Sequence, residues 1–349
     1  MVDKTAMSPV MPSIGARLGP GWGPYLMHAP AHRGSYGDLI ADQVRFRIIR
    51  SGATSIADVR PDSRAAEALW KQPNVRQMVQ GVLDVANGVS GSSGTPLRGF
   101  TLATSEDGYV ANRAVHHFRT DSPSRQAFDA GVAAATRHTT DTAAVRKGAW
   151  LHLDPERSAG LLHMMHHPEA DLKSLPAELA TSLGWGVKTI LHELNHVGSP
   201  RPKQARNMDW LSEGTAEALA RWPGRVEQAG KQLGIAVPPR VGEWFDARQH
   251  PYQEEVDGVR ALLRLSGIDP NNPAHFADAE RLLNGTPEDQ LPRELAGRIA
   301  ARSALDAVER PQLAARIERV IATELAPDGS HVDPDRVQQL VASVPGVAR

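Results

Sequence analysis

The sequence predicts a mainly α fold of the α+β class, with a small mixed sheet confined to the middle of the chain. Three observations carry that expectation. Everything after Asp209 reads as helix upon helix, over about 209–222, 224–233, 251–266, 273–284, 287–305, 310–325 and 333–343. Runs of β character are restricted to LRGFTLATSEDGYVANRAVHHF (97–118) and GAWLHLDPE (148–156). No internal repeat of fixed period runs through the chain, which excludes a solenoid or propeller.

From the N-terminus, residues 1–34 are rich in Pro and Gly and read as an extended arm, suited to docking into a larger assembly. SYGDLIADQVRFRIIRSG (35–52) predicts a capped helix, with Leu39, Val44, Ile48 and Ile49 near helical spacing and Gly52 as its stop. Helices follow over about 62–71 and 74–87. NGVSGSSGTP (87–96) predicts a flexible loop and a regional boundary. It lacks the Gly-Lys-Ser/Thr ending of a phosphate loop, so nucleotide binding is not expected there. Residues 97–118 predict a strand, a turn at Glu106-Asp107-Gly108 and a second strand or helix start, followed by a helix over about 123–138. GAWLHLDPE is a short alternating run closed by Asp154-Pro155, hence a strand, and a long helix spans about 176–197. The elements group into an N-terminal arm and helical region (1–95), a central core (96–268) and a C-terminal helical bundle (269–349).

Composition narrows the function classes. At 349 residues the chain has ample material for a buried core. A formal net charge of -1 gives no bulk basic character, so neither nucleic acid nor an anionic membrane is an expected partner. With no cysteine, disulfides, thiolate metal sites and cysteine nucleophiles are excluded together, and any transition metal must be held by His, Asp or Glu. The N-terminus lacks the apolar core of a signal peptide, and no run approaches the roughly 18 apolar residues of a membrane span. A cytoplasmic location without membrane insertion is expected; export or injection by a route that reads no such signal is the alternative.

ILHELNHVGS (190–199) concentrates the chemistry. On a helix, positions four apart lie on one face, so His192 and His196 can direct their imidazoles at one point. Glu193 projects roughly 100° further round the axis, outside a ligand set but beside its open position, where a water-activating base belongs. Leu179, Leu183, Val187, Ile190, Leu191, Leu194 and Val197 give this helix an apolar face, and Gly184 and Gly186 allow close approach of another element. The bland alternative is a helix that happens to carry two of the chain's 14 histidines. A catalytic zinc site needs a third ligand. Pro202 stands where a metzincin would have its third His, so that variant fails. NMDWLSEGTAEALARW (207–222) offers Glu213 as the metal ligand on a helix that Asp209 can cap. Glu217, four residues on, can accept from the outer nitrogen of a ligating His. Two glutamates near a helix start also occur simply because they favour its dipole.

Taken together, His-Glu-x-x-His, sixteen intervening residues and then the Glu213 of Trp-Leu-Ser-Glu-Gly-Thr-Ala-Glu resemble the gluzincin metallopeptidases, including their thermolysin-like and aminopeptidase branches. The resemblance covers 188–221 strongly. It implies a zincin-like catalytic core built round an active-site helix, with one zinc ion per chain held by His192, His196 and Glu213. It further implies Glu193 as general base and Glu217 as an acidic partner of a ligating His. Members of these families bind substrate backbone along an edge strand, for which GAWLHLDP is the candidate. They also carry a downstream Tyr or His that stabilises the oxyanion; Tyr252 is the choice here, with His250 in reserve. The Gly-x-Met-Glu-Asn motif of the exopeptidases is absent.

The expected function is therefore zinc-dependent hydrolysis of a peptide or protein substrate, more in the manner of an endopeptidase than an aminopeptidase. Water activated by the metal would attack the carbonyl while Glu193 relays its proton to the leaving amine. The alternatives are a zincin-fold structural or interaction protein without turnover, and a peptidase effector or toxin delivered to another cell. His116-His117 and the histidines of HMMHHPE (163–169) lack carboxylates at helical spacing and are not expected to form a second site. GIDPNNPAH (267–275) lacks the spacing of a calcium loop; its Asp269 and Asn272 are expected to end and cap helices.

Overall fold

The computed structural model describes residues 42–89, 96–105, 108–109, 144–145, 148–170, 175–199, 208–235, 237, 252–329 and 331–345. The arm at 1–34, the centre of the 87–96 loop, the 123–138 helix, the paired histidines at 116–117 and His250 lie outside them. The α+β class is as expected, with helices dominating, but the small sheet is not confined to the middle of the chain, because strands at 44–48 and 59–61 join it. By packing, the chain falls into two compact units, residues 1–79 with 98–186, and residues 80–97 with 187–349.

In the first unit the sheet comprises β1 (Val44–Ile48), β2 (Val59–Pro61), β3 (Leu97–Leu102), β4 (Ala144–Val145) and β5 (Gly148–Leu153), in the order β2-β1-β3-β5-β4. The helix expected over 35–52 is overturned in its second half. Val44–Ile48 alternates, with Val44, Phe46 and Ile48 all buried, and β1 pairs antiparallel with both β2 and β3. Phe46 stands opposite Phe100, their ring centroids 5.0 Å apart, so a long-range aromatic pair decides between period 2 and period 3.6. Arg45 is buried as well, and it is tolerated because Asp62 accepts from its guanidinium at 2.9 Å.

β5 is the strand expected at GAWLHLDPE; β3 lies on one side of it, and on the other the two-residue β4 pairs with only its first two residues. Pairing with β4 is registered at Gly148 and Ala149. Two helices, the short α1 (Arg64–Leu69) and the longer α2 (Pro73–Val89), follow β2 as expected. Beyond β5 the sequence reading took Asp154-Pro155 only as a strand stop. The structure starts α3 (Pro155–His166) there, with the Asp154 side chain accepting from the Arg157 N–H at 2.8 Å and Pro155 in the first turn. The first half of α4 (Ala177–Gly198) lies close against α3: a Cβ at Gly186 would sit 2.5 Å from the Arg157 carbonyl. Ser182 ties the two helices by accepting from the Gly160 N–H at 2.9 Å.

The second unit takes the rest of α4 and the helices that follow it. These are α5 (Asp209–Ala220), α6 (Arg225–Gln232), α7 (Gln253–Leu265), α8 (Phe276–Leu283), α9 (Leu291–Arg302), α10 (Arg310–Arg319) and α11 (Pro334–Ser343). One apolar core joins Trp210, Leu211 and Leu219 of α5 to Leu262 and Leu263 of α7 and to Ile299 and Ile317 further on. This core runs without a break through residue 268. Asp209 does not cap α5 as expected; the N-cap is Met208, and the Trp210 N–H instead donates to the Gly329 carbonyl at 3.1 Å. Asn272 does cap, accepting from the Ala274 N–H at 3.0 Å. Among the described residues no helix is long and apolar enough to cross a membrane.

Gly214 explains how α5 and α7 approach so closely, since a Cβ there would lie 2.7 Å from the Glu255 carbonyl and 3.0 Å from Val259 Cγ2. Gly214→Ala is expected to destabilise the fold by about 1–3 kcal/mol through overpacking. Gly297, within α9, has nothing within 4 Å of its Cβ position, so Gly297→Ala is expected to stabilise by about 0.5–1 kcal/mol. Denaturant titration of the two variants checks the opposite signs.

Candidate metal centre

The site lies wholly within the second unit and is made by two helices. Along α4, Lys188, His192 and His196 recur every four residues and so form one row on one face. Along α5, Glu213 and Glu217 form the facing row. The two rows interleave. Lys188 Nζ donates to both Glu217 oxygens, at 2.9 and 3.0 Å, and Glu217 Oε2 lies 2.7 Å from His192 Nδ1. His192 Nε2 is 3.2 Å from Glu213 Oε2, which in turn is 3.5 Å from His196 Nε2. Because the start of one row meets the end of the other, the helices run antiparallel along this seam.

Three of these residues converge. His192, His196 and Glu213 bring potential donor atoms within 4.8 Å of one another and could hold a metal ion. Among the described residues no other such group of His, Cys, Asp and Glu exists. Its closing edge, between the two Nε2 atoms, measures 3.2 Å. The inner side is dry and the outer side is not: the His192 side chain is 7% exposed, against 18% for His196 and 19% for Glu213. Behind His196, the Ser212 hydroxyl lies 3.5 Å from its Nδ1.

Electrostatics favour positive charge here. Burial opposes protonation of His192, but hydrogen bonds to Glu213 and Glu217, with the Glu217 and Glu193 charges, push its pKa up to about 9. Burial works against the Glu213 carboxylate too, yet both imidazoles hold it well below the usual carboxylate range. Glu193 stands next to His192 in sequence with Oε2 buried and without a hydrogen-bond partner among the described residues. Such an atom is costly until a partner satisfies it.

Tyr252 also arrives at the site. Its ring stacks on that of His192, with centroids 5.8 Å apart and planes 16° from parallel. Burial first, then the charges of Glu213, Glu193 and Glu217 and a hydrogen bond to Glu213, push its phenol above its usual range. It is therefore a neutral donor at any ordinary pH. All six residues singled out from sequence, His192, Glu193, His196, Glu213, Glu217 and Tyr252, thus fall in one neighbourhood. The histidines of HMMHHPE belong to the first unit, where the His163 and His167 rings lie 4.7 Å apart.

Sequence reasoning missed two groups. Lys188 carried a readable signal, being four residues before His192 on the same face. Glu288 carried none, since it comes from the connection before α9. Burial, with repulsion from Asp209, pushes its pKa up to about 7, while His196 pulls the other way. Behind the site, Asn195 donates to the Ala216 carbonyl at 3.1 Å and accepts from Asn284 at 3.0 Å, which pins α4 against α5 from the rear.

No family model matches the chain, and no curated protein or solved structure matches it either.

A ligand that binds only the folded chain stabilises it by mass action, by about 4 kcal/mol at a thousandfold excess over Kd. The thermal midpoint is accordingly expected to fall on chelation and to recover on adding one equivalent of a divalent ion. His192→Ala and Glu213→Ala are expected to abolish that response, which differential scanning fluorimetry with metal analysis measures directly.

Proposed function

We propose that the chain is a zinc-dependent peptidase with a zincin-like core of the gluzincin type, in which α4 is the active-site helix. One observation carries the reading: Glu193 Oε2, buried and with no hydrogen-bond partner among the described residues, belongs to a carboxylate close enough for its charge to act on His192 of the three-residue donor set. A metal site that served only to hold shape has no use for that carboxylate. This weighs against the structural alternative.

Zinc is favoured on three grounds. Two imidazoles and a carboxylate suit a borderline transition metal and not calcium or magnesium, which take all-oxygen sets. Bonds of about 2.0–2.1 Å in a tetrahedron put ligand atoms about 3.3–3.4 Å apart. The three edges here are 3.2, 3.2 and 3.5 Å. With both imidazoles neutral, the carboxylates of Glu193, Glu213 and Glu217 against the Lys188 ammonium leave two negative charges, the complement of one dication.

His192, His196 and Glu213 would hold the ion, and Glu217 would keep the Nδ1–H of His192 facing it so that Nε2 presents its lone pair. Zinc supplies a Lewis acid that acidifies water and polarises a carbonyl. Glu193 takes the proton of the attacking water and delivers it to the leaving amine. Tyr252, held neutral, donates where negative charge develops on the carbonyl oxygen. The substrate is a peptide or protein. Endoproteolysis is the preferred mode, because the sequence lacks the exopeptidase motif that grips a free amino terminus.

Glu193→Gln is expected to retain one zinc per chain while losing about 10²–10⁴-fold in peptide cleavage. Tyr252→Phe is expected to lose about 10²–10³-fold, in kcat more than in KM. A fluorogenic peptide library assayed with wild type and both variants decides the matter. Cleavage by Glu193→Gln at the wild-type rate would contradict the proposal, as would a zinc-loaded wild type that cuts nothing.

A further inference from the structure

Lys188 takes part in none of the proton transfers proposed above, yet its placement is not that of a solvated lysine. It is 4% exposed, and its ammonium sits against Glu217, whose side chain is 0% exposed. Lysine is among the residues least often fully buried, and a buried ion pair contributes little net stability compared with an apolar pair of the same volume. Packing alone therefore gives no reason for a lysine here. Its reason lies one step further along the row.

Glu217 has two oxygens and two kinds of partner. Both oxygens accept from Lys188, and Oε2 also faces His192 Nδ1 at 2.7 Å. With the ammonium bridging both oxygens, the carboxylate plane cannot turn about the Cγ–Cδ bond without losing a charge-assisted bond. Oε2 is thereby kept on Nδ1, so that with an ion bound the imidazole would carry its proton there and turn Nε2 toward the ion beside Glu213 and His196.

Resting on the zinc reading, we infer that Lys188 is a positioning residue for the metal centre, acting through Glu217 to fix the orientation and tautomer of His192. It touches neither metal nor substrate. The relay is Lys188 to Glu217 to His192, and it sets how tightly the ion is held.

The test is a four-protein cycle in the full chain: wild type, Lys188→Gln, Glu217→Gln and the double variant. Zinc affinity is measured by competition with a chelator, and folding is followed by circular dichroism. Lys188→Gln keeps an N–H against the carboxylate, so the fold is retained while the charge is lost. Zinc Kd is expected to rise about tenfold in Lys188→Gln, at the lower end of the losses seen when a partner of a metal ligand is removed. In the Glu217→Gln background the same change is expected to have almost no effect, because the group it acts through is gone. Wild-type affinity in a folded Lys188→Gln, or an equal loss in both backgrounds, would overturn the inference and leave the zinc reading standing. A wild type that binds no zinc would overturn both. Should Lys188→Gln fail to fold, Lys188→Arg decides: it keeps the cation, so near-wild-type affinity supports the relay and a loss of about tenfold overturns it.

Discussion

Everything at the site follows from one constraint: five ionisable side chains on two antiparallel helices must alternate in order to be buried at all. Lys188, Glu217, His192, Glu213 and His196 form a single file in which each neighbour is a partner of opposite or complementary kind. Any of them alone would be expensive to place between helices. Interleaved, each compensates the next, and the file ends at the more exposed His196 and Glu213, where a donor set opens toward solvent. The four-residue spacing of an α-helix makes the arrangement available, because it repeats the same face each turn.

Holding two such rows in register demands rigid packing behind them. On the α5 side this comes from Trp210, Leu211 and Leu219, sunk into a core shared with α7 and the later helices. On the α4 side Leu191, Leu194 and Asn195 are buried, and the Asn195 amide reaches both Ala216 and Asn284. Gly214 brings α7 against α5, and at the head of α7 stands Tyr252, stacked on His192. The C-terminal helices thus shape the donor set without contributing an atom to it, by fixing where α5 and Tyr252 can be.

How much of this was legible in the sequence depends on the range of the forces concerned. Helices after Asp209 declared themselves, because a period of 3.6 and local stop signals are short-range properties of the chain. The donor set was legible for the same reason, since two i,i+4 pairs define two helix faces before any tertiary structure is known. Val44–Ile48 was misread because its apolar residues fit either period, and only the pairing of Phe46 with Phe100 across the sheet settles the choice. Asp209 looks like a cap, but a distant carbonyl, that of Gly329, reaches the first turn of α5 instead. Asp154-Pro155 both ends β5 and caps α3, so one local signal serves two elements. Lys188 was equally readable and went unread, because a lysine on a helix defaults to solvent until the buried glutamate facing it is known. Glu288 had no local signal at all, since only the folded chain brings it near His196 and Asp209.

The central claim is that His192, His196 and Glu213 ligate one zinc ion, and X-ray absorption at the zinc edge of the purified protein tests it most directly. The account predicts four light ligand atoms at about 2.0–2.1 Å, with the outer-shell scattering of two imidazole rings. A first shell without imidazole, six oxygens around the ion, or a spectrum unchanged in His192→Ala would contradict it.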